Sequence, residues 1–253
     1  MLFTRSLHNL AWKIETARCR LVPHLPFAFR KNMNTSFRRL ARRAAPFTLT
    51  TIPRMHALYE AIQKIVRDGI EGSAVECGTW KGGSMMLAAS ALIEAGAGDR
   101  DLFLYDTFQG MPLPGDEDVT FYGLPARKKW NWQRQKTGNG WFYAPFSEVR
   151  DNMNTTGYPS ERVTYVEGLI EKTLPRTIPD RIAFLHLDMD LYAPTLHALR
   201  YLYPRMSKGG VLIIDDYGHW KGARKAVDHY FETQKIHANL QKIDYSAVWM
   251  VRK

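Results

Sequence analysis

Two apolar runs in this chain each end in a pair of carboxylates. Residues 184–192 read FLHLDMDLY, with Asp188 and Asp190, and residues 209–217 read GGVLIIDDY, with Asp215 and Asp216. An apolar strand leading straight into acid puts its carboxylates at the C-terminal edge of a sheet, where open α/β sheets bind ligands. Four acids there repel one another unless a cation or protons hold them. Oxygen-only donors suit Mg²⁺, Ca²⁺ or Mn²⁺ rather than zinc, so the pattern predicts a hard divalent metal at a catalytic edge. A lone Asp at a strand end is ordinarily a cap or a loop brace; two pairs on neighbouring strands are hard to explain in that way. His186, inside an apolar strand, reads as a satisfied core residue. Tyr192, Tyr217, His219 and Trp220, beside the acids, are candidates to contact a substrate.

A second constellation lies upstream. VECGTWKGGS (residues 75–84) has the strand–turn–helix context of a cofactor loop. Gly78 permits a tight turn, and Gly82 and Gly83 allow backbone to approach a ligand and the helix to pack on the strand. The loop is not the GxGxxG of nicotinamide enzymes. Glu76, just before the first glycine, would repel a pyrophosphate and is better matched to a cationic cofactor. Asp106 ends the next strand (FLYD), the position that binds ribose hydroxyls in such folds. Together these favour S-adenosylmethionine over NAD.

The elements that must position these groups alternate regularly from residue 55. Helical spacing over residues 55–67 ends at Asp68-Gly69, and SAVEC reads as a buried strand leading through the Gly turn into a helix. DLFLYDTF, RVTYVEG, IAFLHLDMD and VLIIDDY read as further strands, with helices around residues 147–154, in APTLHALRYLYPRM and over about residues 222–234. The terminal NLQKIDYSAVWMVRK reads as two more strands, antiparallel at the sheet edge. Such alternation predicts an α/β fold with a Rossmann-like, doubly wound, mainly parallel sheet. Residues 109–147 break the pattern with eight aromatics, among them Trp130, Trp132, Trp141 and Phe142. A loop that long is usually functional, and a lid, a sugar-stacking wall or an oligomer contact are the uses it leaves open.

Composition narrows the class. The formal charge of +10 is supplied entirely by residues 1–54, which hold eleven Lys/Arg against Glu15 alone; the remainder balances. The basicity belongs to an N-terminal arm, followed by a domain over residues 55–253, and a neutral body argues against nucleic acid. The arm suits packing on the body or on a second subunit in a homo-oligomer, peripheral membrane or polyanion contact, or targeting. Two cysteines, Cys19 and Cys77, no apolar window of membrane-spanning length and no apolar secretory signal point to a reducing, cytoplasmic setting.

The motifs VECGTWKGGS, YDTFQGMP (residues 105–112), EGLIEKTLP (residues 167–175), LHLDMDLYAPTLHALRYLYP (residues 185–204) and SKGGVLIIDDYGHWKGARKAV (residues 207–227) resemble the macrocin O-methyltransferase family over roughly residues 48–231. The resemblance implies a Rossmann-like methyltransferase that uses S-adenosylmethionine and Mg²⁺ to methylate a sugar hydroxyl of a small molecule or glycan. It implies Asp188, Asp215 and Asp216 as metal ligands and Asp190 as general base. Cofactor contacts would come from Glu76, Gly78, Trp80, Gly82, Gly83, Ser84, Asp106, Thr107, Phe108, Gly168 and Asp188. Substrate choice would fall to residues 109–147, where the resemblance thins. A rival reading takes Asp188-Met189-Asp190 as the Asp-x-Asp of a metal-dependent glycosyltransferase, but that chemistry has no use for the second acidic pair or for Glu76 and Asp106. A catechol-type O-methyltransferase shares the metal logic and differs in acceptor.

Overall fold

A computed structural model describes residues 34–253 of the chain. Its core is a seven-stranded sheet: β1 (Ser73–Cys77), β2 (Leu102–Asp106), β3 (Val163–Glu167), β4 (Ile182–Leu187), β5 (Met206–Ile214), β6 (Gln241–Lys242) and β7 (Val248–Val251). The order is β3-β2-β1-β4-β5-β7-β6. The first five strands are parallel, and β7 joins β5 and β6 antiparallel. This is the predicted doubly wound sheet with its antiparallel edge.

Successive strand residues point to opposite faces, and both faces are covered. On one side Ala74, Leu102, Leu104, Phe184, Val211 and Ile213 pack with helices α1 (Thr35–Ala44), α2 (Ile52–Arg67) and α3 (Gly83–Glu94). On the other, Val75, Cys77, Leu185, Leu187, Leu212 and Ile214 meet α7 (Tyr192–Leu202) and α8 (Lys221–Thr233). Strands buried on both faces explain the unbroken apolar runs seen in the sequence. Strand β1 pairs with β2 on one side and β4 on the other. The chain order therefore reverses beside it, and a ligand crevice is expected at the C-terminal ends of β1 and β4.

Residues 35–54, which the charge count groups with the arm, form part of the domain. Helix α1 buries Phe37, Leu40, Ala41 and Ala44 in the core shared with α3, while its arginines lie on the opposite stripe. Amphipathic placement of this kind lets a basic segment contribute fully to a core. The arm upstream, with the membrane, polyanion and targeting roles considered for it, lies outside the described residues. No described helix is long and apolar enough to cross a membrane.

Residues 109–147 are not a structureless loop. They contain helix α4 (Ala126–Trp132) and build a small core of their own, in which Met111, Ala126 and Trp141 pack on Leu191, Trp220 and Ala223. Asp118 ties the segment down, accepting the amides of Gly115 and Tyr192 at 2.7 Å each. The Phe121 amide bonds the His219 carbonyl at 2.7 Å. The segment thus roofs the C-terminal edge of the sheet.

Candidate active site

Under that roof lies a cavity of about 470 Å³. Its floor is the crevice at β1 and β4. Gly78 turns the chain out of β1 with φ +85°, and a Cβ there would sit 1.9 Å from the Asp188 carbonyl oxygen. Only glycine lets the two strand ends close to the point where the Asp188 amide bonds the Cys77 carbonyl at 2.9 Å. Beyond β2, Asp106 Oδ2 accepts the amides of Thr79 at 2.7 Å and Trp80 at 3.1 Å, and its Oδ1 accepts that of Phe108 at 2.8 Å. Burial raises its pKa, and these amides oppose the rise. Trp80, Phe108 and Asp190 all hold positive φ, a conformation that bulky residues adopt only where the surroundings impose it.

The four strand-end acids do converge. Asp188, Asp190, Asp215 and Asp216 all line the cavity. A carboxylate oxygen of Asp188, one of Asp215 and a ring nitrogen of His186 lie within 4.8 Å of one another. Asp216 Oδ2 accepts the Asp190 amide at 3.0 Å. Burial first, then the charges of Asp215 and Asp216, push Asp188 well above the carboxylate range. Burial and the charge of Asp216 do the same to Asp190. Asp216 is pushed up to about 6, by burial and by Asp215.

Asp215 is the exception. Burial would raise it as well, but Arg54 and His186 hold it below its ordinary value. Alternation along the strands accounts for the grouping. Glu76, His186 and Ile213 are register partners across β1, β4 and β5, and Asp215 lies two residues beyond Ile213, on the face that α2 covers. His186 Nδ1 donates to Glu76 Oε1 at 2.9 Å and its Nε2 lies 3.5 Å from Asp215 Oδ1. Burial disfavours the imidazolium, yet the hydrogen bonds to Asp215 and Glu76 outweigh it and raise His186 well above its usual pKa. With one ring nitrogen bonded to Glu76 and the other near Asp215, His186 is a buried and hydrogen-bonded residue of its apolar strand.

The other sequence-predicted residues divide. Trp80, Ser84, Thr107, Gly168, His219 and Trp220 line the cavity. Glu76 lies behind the wall, held by His186, with Oε2 buried and unpartnered among the described residues. Gly83 faces away from the cavity: a Cβ there would meet the Phe47 backbone at 2.5 Å, so it admits the N-terminal segment rather than a ligand. Gly82, with φ +85°, faces Val149. Phe108 contributes its amide, but its ring packs on Phe146 in the core. The Tyr192 amide serves Asp118 and its ring lies under Lys225, while the Tyr217 hydroxyl donates to Asp228 at 2.7 Å. Neither tyrosine lines the cavity.

The cavity also has walls that the motifs do not mark. Thr48, Thr50 and Arg54 enter from the N-terminal side, Lys129, Trp141 and Phe142 from the roof, and Tyr245 and Ser246 from the C-terminal loop. One signal for Arg54 is present in the sequence. A basic residue in the first turn of a helix opposes the helix dipole, and with no acid in that turn it calls for a carboxylate partner from elsewhere.

This sheet, with its acid-lined crevice at the strand-order reversal, is that of a Rossmann-like O-methyltransferase. The model of the macrocin-O-methyltransferase (TylF) family matches residues 22–253, and the chain belongs to that family. It is 32% identical over 202 residues to the 8-demethyl-8-(2,3-dimethoxy-alpha-L-rhamnosyl)-tetracenomycin-C 4'-O-methyltransferase of Streptomyces olivaceus, covering 80% of this chain and 74% of that one. It is 31% identical over 205 residues to the demethyldecarbamoylnovobiocin O-methyltransferase of Streptomyces niveus, covering 81% and 75%. Among solved structures, the O-methyltransferase NovP superposes with a TM-score of 0.72 at 30% identity over 82% of each chain.

Proposed function

We propose that this chain is an S-adenosylmethionine- and Mg²⁺-dependent O-methyltransferase whose acceptor is a sugar hydroxyl of a glycosylated small molecule. The observation that carries the reading is the meeting of Asp188, Asp190, Asp215 and Asp216 in one cavity with the Gly78 turn and Asp106. Membership of the family sets the glycosyltransferase reading of Asp188-Met189-Asp190 aside.

The residues present fit both groups. Asp188, Asp215 and Asp216 offer an all-oxygen donor set suited to a hard divalent cation. Burial and mutual repulsion raise Asp188 and Asp216, the mark of carboxylates short of positive charge. These three would hold Mg²⁺, which supplies Lewis acidity toward an acceptor hydroxyl and favours the ionised carboxylates around it. For the methyl donor, Asp106 would take ribose hydroxyls, Gly78 would let backbone come close, and Ser84, which lines the cavity, would offer a hydroxyl. S-adenosylmethionine supplies the methyl group.

The chain then has three tasks. It must align the acceptor oxygen with the methyl group, remove the hydroxyl proton and keep water out. Phe142 and Tyr143, which line the cavity from the roof and are less buried than Trp141, offer aromatic surface to a sugar ring. Asp190, presented to the cavity by its left-handed backbone and braced against Asp216, takes the proton. A roof that shields the acceptor from water would raise the value of every charge inside. Calorimetric titration of the full chain with S-adenosylmethionine, S-adenosylhomocysteine and a nucleotide-sugar tests the reading. Binding of the first two is expected, and methyl transfer to a glycoside should cease with chelator. A chain that bound only the nucleotide-sugar, or that transferred methyl groups undiminished in chelator, would refute it.

A further inference from the structure

Helix α2 delivers a cation into the acid cluster for which the mechanism above has no use. Arg54 is 8% exposed; its Nη1 pairs with Asp215 Oδ2, and its Nε donates to Asp244 Oδ2 at 2.8 Å. The far side is braced as well. Thr51, which caps α2, donates its hydroxyl to the same Asp244 oxygen at 2.7 Å. The other Asp244 oxygen accepts the amides of Ser246 and Ala247 at 2.9 Å each. Ser246 Oγ closes the ring by donating to the Asp215 carbonyl at 2.7 Å, and the guanidinium carbon lies 5.3 Å from the centre of the Tyr245 ring. Two segments far apart in sequence thus grip one acid of the proposed metal set.

We propose that Arg54 is a positioning residue of the metal centre: clamped between Asp244 and Asp215, it fixes the Asp215 carboxylate toward Asp188, so that a divalent cation meets a preformed ligand set. The inference rests on the metal site proposed above. Two effects of Arg54 oppose each other. As a positive charge it repels a second cation. As a rigid fork it removes the rotational freedom that Asp215 would otherwise lose on binding. The guanidinium charge is shared with a second carboxylate, Asp244, which reduces the repulsion, so the orienting effect is expected to prevail. The arrangement also makes metal affinity depend on the docking of α2 and of the loop before β7.

Titration of Mn²⁺ alone into the metal-stripped full chain tests this without turnover. Wild type, R54K, R54Q and D244N are compared, with thermal unfolding of each in chelator as the measure of fold. Loss of a residue that orients a metal ligand weakens affinity about 10–100-fold, and R54Q is expected in that range. R54K should recover only part, since an ammonium cannot bridge two carboxylates in a planar fork. D244N, which leaves the Asp215 carboxylate untouched, should weaken binding in the same direction. If Arg54 were only a counter-charge, R54Q would bind Mn²⁺ as tightly as wild type or more tightly, and that result overturns the proposal. Should R54Q fail to fold, R54K and D244N carry the comparison, and unchanged affinity in both overturns it equally. A wild-type chain that binds no Mn²⁺ overturns the metal site itself, an outcome distinct from failure of the clamp.

Discussion

Replacing Gly78 by alanine should damage the site through one atom. The added Cβ would lie 1.9 Å from the Asp188 carbonyl oxygen and 2.8 Å from its carbonyl carbon, both backbone atoms that no rotamer can move. Reaching an ordinary contact of 3.4 Å requires the two strand ends to part by about 1.5 Å. That displacement breaks the bond from the Asp188 amide to the Cys77 carbonyl, now 2.9 Å. A left-handed alanine costs ~1–2 kcal/mol and a lost hydrogen bond about 1 kcal/mol, giving about 2–3 kcal/mol in all. For a chain of this size each kcal/mol lowers Tm by about 2–4 °C, so G78A should melt about 4–12 °C below wild type. Gly96 supplies the control. Its φ is +72° but nothing lies within 4 Å of a Cβ there, so G96A carries only the backbone strain, and the difference between the two variants isolates the collision. A displacement above 1 Å at a positioned group can cost about 10²-fold in rate, and Asp188 is a proposed metal ligand. Differential scanning calorimetry with a labelled methyl-transfer assay measures both effects. The reasoning fails if G78A melts with G96A and retains wild-type turnover, because the strand ends would then have room that the structure denies them.

Four other outcomes follow from the same geometry. D190N should keep its Tm within a degree or two while kcat falls about 10²–10⁴-fold, the usual share of a general base, and its pH–rate profile should lose the limb that wild type shows. Asp216 is raised to about 6 in the metal-free chain. Its contribution to stability is therefore complete below the unfolded Asp range and is lost as pH rises through about 6, so melts in chelator should fall over that interval and Mn²⁺ should restore them, with affinity rising with pH. Asp215 and Asp244, held low chiefly by Arg54 against the opposing effect of burial, act in the reverse sense, supplying stability that is lost only in acid as pH falls through their depressed values. D118A strands the amides of Gly115 and Tyr192, costing about 1–3 kcal/mol, and should speed hydrogen exchange across residues 115–126 and raise KM for the acceptor.

What the sequence made legible was local. Each strand carries its own apolar run and its own terminal acid, so the sheet, its antiparallel edge and the Asp188, Asp190, Asp215 and Asp216 cluster could be read without knowing any contact. What it hid depends on partners far along the chain or on orientation. Arg54 follows ten other basic residues in an acid-poor stretch, and its second partner, Asp244, lies 190 positions away. Gly83 resembles a ligand-loop glycine, yet the group that approaches it is the Phe47 backbone. Tyr192 and Tyr217 adjoin the acids in sequence but point elsewhere, because the chain turns into α7 and toward α8 immediately after them. Nothing in the letters for Trp80 or Phe108 announces a left-handed backbone, which the Asp106 carboxylate imposes by gathering their amides.

The charges bear on where a divalent cation would bind. Glu76, His186, Asp215, Arg54 and Asp244 form an alternating series of acid and base from β1 across β4 and β5 to α2 and the C-terminal loop. Along that line burial raises Glu76 despite its bond to His186, whereas Arg54 and His186 hold Asp215 below its ordinary pKa against the effect of burial. Asp188, Asp190 and Asp216 stand off the series, and all three are raised, first by burial and then by neighbouring charge, that of Asp215 on Asp188 and Asp216 and that of Asp216 on Asp190. Folding alone would be served by neutral side chains at those three positions, because Asp190 and Asp216 are buried and Asp188 half-buried, and such carboxylates without a paired cation are costly. A divalent ion held by Asp188, Asp215 and Asp216 would neutralise the two raised carboxylates of that set where a hydroxyl must give up its proton. Replacing Asp188 and Asp216 together by asparagine should therefore stabilise the metal-free chain above pH 6 while abolishing Mn²⁺ binding; a double variant less stable than wild type in chelator would place these acids in the service of the fold instead.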